Sequence, residues 1–458
     1  MNLIRKCLLT FIILGLVTKG FSQDNEEILK LSISEAQTYA LQNNRSVQSA
    51  RIDIDIADKK VWETIAIGLP QLNLATNYQH QFVVPQLSFG PYLDVNSLPD
   101  GSITKSDIQS AYKASPAVSL GVKNNTTFDF TLSQLIFSGE YLVGLQATKV
   151  FKEISEKALV KTEAQTKESV AGTYSLVLVL GENVRVLNES LKAIDQTYSD
   201  LVKMNQQGFN EETDVDQIRI SRSNIKTLIT SLESQKEISM KLLKFQLGVD
   251  FSRQLVLTDS LPGIIKSGNM QYLTSPSFNV ENSIDYQMIS NLEKASGLSL
   301  KREQSKVLPT FSAFYRRHEQ LNTPSFNFAV KDMVGVVISL PILSSGQRLS
   351  KVSQARFDLE KSRLNKENAS QGLIMEYETA MSSYKTAFSN CTTNRESMIL
   401  SKKVYDKTVI KYREGVSSSF ELSQNQNQFL TSESNYYNSV LSLLNAKAKL
   451  DRILSSNQ

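Results

Sequence analysis

Two spacings of apolar residues divide the chain. Leu72, Leu74, Tyr78 and Phe82 alternate with Asn73, Asn77, Gln79 and Gln81, and Phe128, Phe130 and Leu132 alternate with Thr127, Asp129, Thr131 and Ser133. A period of two with one apolar and one polar face predicts strands at about 71–83 and 126–137. Phe311, Ala313 and Tyr315, and then Val334, Val336, Ile338 and Leu340, predict two more at about 310–318 and 333–341. Elsewhere the spacing is seven: Phe429, Tyr436, Leu443 and Leu450, with Val440 and Leu454 on the alternate positions, and Ile218, Ile225 and Leu232. That repeat predicts long helices packed as coiled coils.

Proline agrees with this division. All ten prolines fall between Pro70 and Pro116 or between Pro262 and Pro341, so residues 117–261 and 342–458 are free of them. Proline breaks the hydrogen-bond ladder of a helix interior, so the prolineless tracts are where long helices can run. Each tract is interrupted by a glycine, Gly208 in Gln207-Gly208-Phe209-Asn210 and Gly415 in Glu414-Gly415-Val416-Ser417. Each of these lies 69 residues beyond a Ser-Gly pair, Ser138-Gly139 and Ser345-Gly346. A helix of that length reaches about 100 Å.

Matched spacing implies a duplicated unit, which governs the fold reading. Leu69-Pro70-Gln71-Leu72 and Leu308-Pro309-Thr310-Phe311 open the first strand of each copy. Before them lie helical patterns around Asn43-Asn44-Arg45-Ser46-Val47-Gln48 and Asp285-Tyr286-Gln287. The first copy is 32 residues longer, because Pro309 lies 239 residues after Pro70 and Gly346 only 207 after Gly139. The excess falls in 84–124, which holds four of the ten prolines with Gly90, Gly101 and Gly121 and reads as a mobile loop. Strand alternation near Val334 favours an offset of 206, leaving the register there open by one residue. The organisation expected is a first repeat over 23–261, turning near 208, and a second over 262–458, turning near 415.

The N-terminus changes the charge picture. Arg5 and Lys6, the apolar run Leu8 to Val17, and Gly20-Phe21-Ser22 read as a secretory signal over 1–22. Without it the formal charge of +4 falls to about +1, which is no footprint for nucleic acid. Cys7 lies in the signal with no lipobox around it, so no lipid anchor is expected, and Cys391 is then alone. No other run approaches 18 consecutive apolar residues, which argues against a helical membrane protein.

Little in the chain suggests catalysis. There is no phosphate loop, no G-x-S-x-G, no zinc spacing and no Cys–His pairing, and His80 and His318 are the only imidazoles. Asp53, Asp55 and Asp58 spread around a helix and read as a solvated face rather than a metal cluster. No enzyme activity, cofactor or metal is expected. Asp129 on the polar face of a strand suits a water-filled lumen. Four short strands cannot close a channel, and open edges are not tolerated in lipid, so membrane-embedded strands would require a closed oligomer.

The signal, the duplicated helix–strand–strand–helix plan, the two Leu-Pro strand starts and the two glycine turns together resemble the outer-membrane efflux (TolC-like) proteins. The resemblance covers essentially the whole mature chain. It implies an α+β membrane protein in which each protomer lends four strands to the twelve-stranded outer-membrane β-barrel of a homotrimer. That barrel would continue into a periplasmic α-helical barrel. It further implies an exit duct passing small toxic compounds from an inner-membrane pump of the resistance-nodulation-division type through a periplasmic adaptor (membrane fusion) protein. The alternative is the exit duct of a type I protein secretion system served by an ABC transporter.

The resemblance also implies sites. The tips at Gly208, Phe209, Gly415 and Val416 would dock the adaptor. Tyr412 matches the family's linking tyrosine, Thr213 and Asp214 its linking Thr-Asp pair, and Glu421 and Gln424 the two positions of its carboxylate ring. The chain departs from the family pattern at Ser417, where a linking arginine is expected, and at Gln424, which is uncharged. Both the lock and the ring are therefore expected to be weaker here.

Overall fold

The computed structural model describes residues 28–267, 278–324 and 327–455. The signal over 1–22, with Cys7, lies outside them. The chain forms two compact units, one comprising the residues up to Arg51, Leu159–Ile284 and those from Gln371, the other Ile52–Ala158 and Asp285–Ser370.

In chain order the elements are β1 (Leu29–Leu31), α1 (Ile33–Asn43), α2 (Arg45–Ile67), β2 (Gln71–His80), β3 (Gln86–Leu87), β4 (Tyr92–Leu93), α3 (Lys105–Ala111), β5 (Tyr112–Lys113), β6 (Val118–Ser119) and β7 (Asn124–Phe137). There follow α4 (Gly139–Gln206), α5 (Glu212–Leu247), β8 (Leu255–Leu257), α6 (Leu261–Ser267), α7 (Ile284–Ser305), β9 (Thr310–Gln320), β10 (Asp332–Ser339), α8 (Gln347–Arg413) and α9 (Ser419–Ser455).

The first unit is a helical bundle whose interior follows the seven-residue spacing. Leu187, Ile194 and Leu201 of α4, Val215, Ile218, Ile225 and Ile229 of α5, Tyr405 of α8, and Leu422 and Phe429 of α9 form one buried cluster. Tyr405 and Phe429 stack with ring centroids 5.8 Å apart. A second cluster joins α1 to α4 and α5 through Ala36, Ala40, Val170, Tyr174, Leu243 and Leu247. Beside it β1 pairs in parallel with β8, Leu29 opposite Leu255. The Asp259 carboxylate accepts the Ile33 N–H at 2.7 Å and the Tyr174 hydroxyl at 3.1 Å, which ties the start of the described chain to the segment after β8.

Helix α1 starts on a capping box. Ser32 Oγ accepts the Glu35 N–H, and the Glu35 carboxylate accepts the Ser32 N–H at 2.8 Å, satisfying two donors that a helix start leaves open. Among the described residues one helix, α4, has a stretch apolar enough to cross a membrane by length and composition, with 56% of that stretch buried. Val170, Tyr174, Val179 and Val186 of this helix are buried inside the bundle. The stretch is core; it escapes a count of consecutive apolar residues because small and polar residues interrupt it.

The second unit holds a four-stranded antiparallel sheet of order β10-β9-β7-β2, so the two repeats meet at β7 and β9. The register places like residues on like faces. Leu74, Phe130 and Arg317 form one row, Leu72, Leu132, Tyr315 and Val334 the next, and Ala313 and Val336 then Phe311 and Ile338 continue that face. The opposite face carries Asn73 with Thr131 and Arg316, Ala75 with Asp129 and His318, and Asn77 with Thr127 and Gln320. One face is therefore mainly apolar, with Arg317, Glu319 and Asp332 toward one end, and the other mainly polar.

A bulge between Leu135 and Phe137 adds a residue to β7 and reverses the facing of its last part.

Residues 84–124 differ from the loop reading. They fold into nested antiparallel pairs, β3 with β6 and β4 with β5, with α3 and a single 3-10 turn between them. Asp94 pairs with Lys113, and Thr104 with Asp107 forms a capping box on α3. Strands of two residues are too short to show alternation, and their pairing partners lie 19 to 33 residues apart, so composition alone reads as loop.

Candidate functional site

Both helical hairpins of the bundle turn in the same way. At the first, the Phe209 N–H reaches the Met204 carbonyl at 3.0 Å and the Gly208 N–H the Asn205 carbonyl at 2.9 Å. At the second, Val416 reaches Lys411 at 2.9 Å and Gly415 reaches Tyr412 at 3.0 Å. This pair of bonds is the Schellman ending, which needs a left-handed residue after the helix. Gly208 and Gly415 supply it with φ of 79° and 74°. No other atom lies within 4 Å of where a Cβ would stand on either glycine, so backbone conformation and not crowding selects glycine there. The endings hold Phe209 and Val416 outward, 75% and 73% exposed, with Phe420 at 69%.

Beyond the turns the hairpins differ. The second helix of the second hairpin is capped by Ser418, whose Oγ accepts the Glu421 N–H at 3.2 Å. Ser417 donates to the Glu421 carboxylate at 2.6 Å, so the residue standing in the family's arginine position engages a ring candidate within its own hairpin. Glu211, at the matching place in the first hairpin, makes no side-chain cap; Thr213 donates to the Glu211 carboxylate at 3.2 Å instead. Gln424 is exposed.

Asp214 links the two hairpins. Its carboxylate accepts a short hydrogen bond from the Ser419 hydroxyl, and Ser419 is buried. One helical turn further in, Ser423 Oγ lies 3.0 Å from Ser221 Oγ and accepts from Gln217 Nε2 at 3.3 Å. Tyr412 packs against the buried cluster. Burial pushes its phenol up to about 12, and the Asp214 charge adds to the shift. Tyr412 and Asp214 are thus close enough to interact, while Asp214 spends its hydrogen bond on Ser419. Nothing in the sequence reading singled out Ser419. The Ser418-x-x-Glu421 spacing marks a helix start and could have drawn attention to it.

Higher in the bundle Glu433 is buried on α9. Burial pushes its carboxyl up to about 7, partly offset by Lys402 and Arg185 and reinforced by Glu182 and Glu189. Cys391 is buried too, and its thiol is pushed up by the same cause. Among the described residues no group of histidine, cysteine and carboxylate side chains could hold a metal ion.

In the other unit the polar face of the sheet joins the repeats through two side-chain pairs. His318 Nδ1 lies 2.8 Å from Asp129 Oδ1, and Gln320 Nε2 donates to Asn125 Oδ1 at 2.7 Å.

Residues 300–456 match the family model described as outer membrane efflux protein. No curated protein sequence matches the chain. Solved structures match over nearly its whole length. CusC superposes with a TM-score of 0.71 at 14% identity, covering 93% of this chain and 92% of that one. The CmeC outer membrane channel of Campylobacter jejuni gives 0.70 at 16%, covering 93% and 86%. The open MtrE outer membrane channel of Neisseria gonorrhoeae gives 0.71 at 14%, covering 93% and 89%. At such identities the superpositions speak for the fold, which is the TolC-like channel fold of long helices and strands. The family match thus covers residues 300–456, while the channel fold extends over nearly the whole chain. Match and fold together are those of outer-membrane efflux channels, which are transport proteins.

Proposed function

We propose that three copies of this chain assemble into the exit duct of a tripartite efflux system. The duct passes small toxic compounds from an inner-membrane pump of the resistance-nodulation-division type, through a periplasmic adaptor, to the outside. Residues 1–22 act as the export signal, and the repeats 23–261 and 262–458 each contribute two strands and one hairpin. The observation that carries this reading is the sheet. It has four strands, two unpaired edges (β2 and β10), one apolar face and one polar face. In hydrocarbon every unpaired backbone group costs several kcal/mol. Three such sheets joined edge to edge close into twelve strands with the apolar face toward lipid.

In the helical unit, the exposed Phe209 and Val416 at the Gly208 and Gly415 turns form the surface that an adaptor's apolar hairpin tips would meet. Thr213, Asp214, Tyr412 and Ser417 hold the resting tip, while Glu421 and Gln424 face the axis. The Asp214–Ser419 bond supports this, because it ties the two hairpins of one protomer together at the level where they would have to part.

One strain series tests the proposal. Membranes from wild type should yield a heat-resistant trimer in the outer-membrane fraction, and the deletion strain should become sensitive to several unrelated small toxic compounds. Asp214→Ala together with Tyr412→Phe should leave the trimer intact and raise single-channel conductance in planar bilayers. A monomer in the soluble fraction would sink the trimeric duct. Unchanged drug sensitivity with a changed secretome would move the assignment to protein secretion.

A further inference from the structure

Charge on the polar face of the sheet is unbalanced in a way that conduction alone does not require. Within the four strands that face carries two fixed charges, Arg316 on β9 and Asp129 on β7, with His318 beside them. The same face continues past the strand ends through Lys123 and Lys331, whose carbonyls accept the Gln81 and His318 N–H groups at 2.8 and 2.7 Å. Asp129, the one carboxylate, is occupied by His318 at 2.8 Å. Arg316 is left with no carboxylate partner among the described residues, and its Nε is buried without an acceptor. A guanidinium is a rigid fork of donors that matches carboxylate, sulfonate and phosphate oxygens, and a buried donor without an acceptor is costly until one arrives.

We propose that Arg316, backed by Lys331, forms an anion-binding belt in the barrel lumen that engages the carboxylate, sulfonate or phosphate group of departing cargo. This rests on the channel reading, which makes the polar face the lumen and brings three copies of the belt around one axis. Rings of arginine and lysine are how pores favour anions.

Planar-bilayer recordings of the full-length trimer test the belt with inorganic triphosphate as the probe. Wild type should be blocked by triphosphate added from the barrel side. Arg316→Gln should need about tenfold more for half block, equivalent to about 1.4 kcal/mol. Asp129→Asn, which keeps an acceptor for His318, should shift block the other way. A loss of packing would not move the two variants in opposite directions. Equal block in wild type, Arg316→Gln and Arg316→Glu would overturn the belt while leaving the channel intact, as would ordinary conductance with no block in wild type. Absence of any conductance from wild-type trimers would overturn the channel reading and the belt with it.

Discussion

The helical bundle and the four-stranded sheet treat the same kinds of side chain in opposite ways. In the bundle, Ile218, Leu243, Leu247 and Leu450 are fully buried, and among the described charged residues Glu433 alone is buried. In the sheet, Leu72 is 70% exposed, Tyr78 66% and Val334 77%, on a face with no protein over it. A sheet in water would cover that face, since an exposed apolar surface of this extent marks a contact with something apolar. The bundle is built for water and the sheet for lipid, and one chain is stable in both because each unit hides its apolar surface from water by different means.

The largest effect that would break this comparison lies in the bundle. Phe429 is buried and stacked on Tyr405, so Phe429→Ala should cost about 3–5 kcal/mol. Thermal unfolding followed by circular dichroism should show the loss in the helical signal. Its absence would mean that the cluster does not hold the hairpins together.

Next comes the sheet. Val336 stands mid-strand in β10 on the apolar face, and Arg there should cost about 2–4 kcal/mol if that face meets hydrocarbon. Val336→Arg should therefore weaken the heat-resistant trimer, and Asn77→Arg on the polar face should not. Equal effects from the two substitutions would show that the faces are not distinguished by lipid and lumen.

The smallest effect sharpens the contrast between a carboxylate in the bundle and one on the wet face of the sheet. Glu433 has its carboxyl raised to about 7 by burial, above the ordinary value of 4.5 that it regains on unfolding. Between these values the folded chain holds a proton that the unfolded chain has released, so stability falls as pH rises from about 4.5 to 7 and is level above that. Glu433→Gln removes the fall. It should match wild type at pH 4 and be more stable at pH 8 by on the order of 2 kcal/mol, allowing for solvent screening. Melting curves at the two pH values read this directly, and an equal gain at both would rule out titration as the cause.

Local pattern carried the duplicated helix–strand–strand–hairpin plan because each element depends on neighbours in sequence. A left-handed turn asks for glycine at one place, as at Gly208 and Gly415. A half-exposed strand asks for alternation over successive residues, as in Leu72 to Tyr78, and a coiled-coil seam for an apolar residue every seven, as in Phe429 to Leu450. These demands are written along the chain. Tertiary structure alone decided what meets across it: β7 beside β9, with Asp129 on His318 from the other repeat, and the Asp214 carboxylate on Ser419 rather than on Tyr412. It also turned the proline-rich stretch 84–124 into nested ladders. Partners about 200 residues apart, and strands of two residues, leave no period to read. A serine hydroxyl or a histidine ring becomes significant only when folding brings a carboxylate within 3 Å of it.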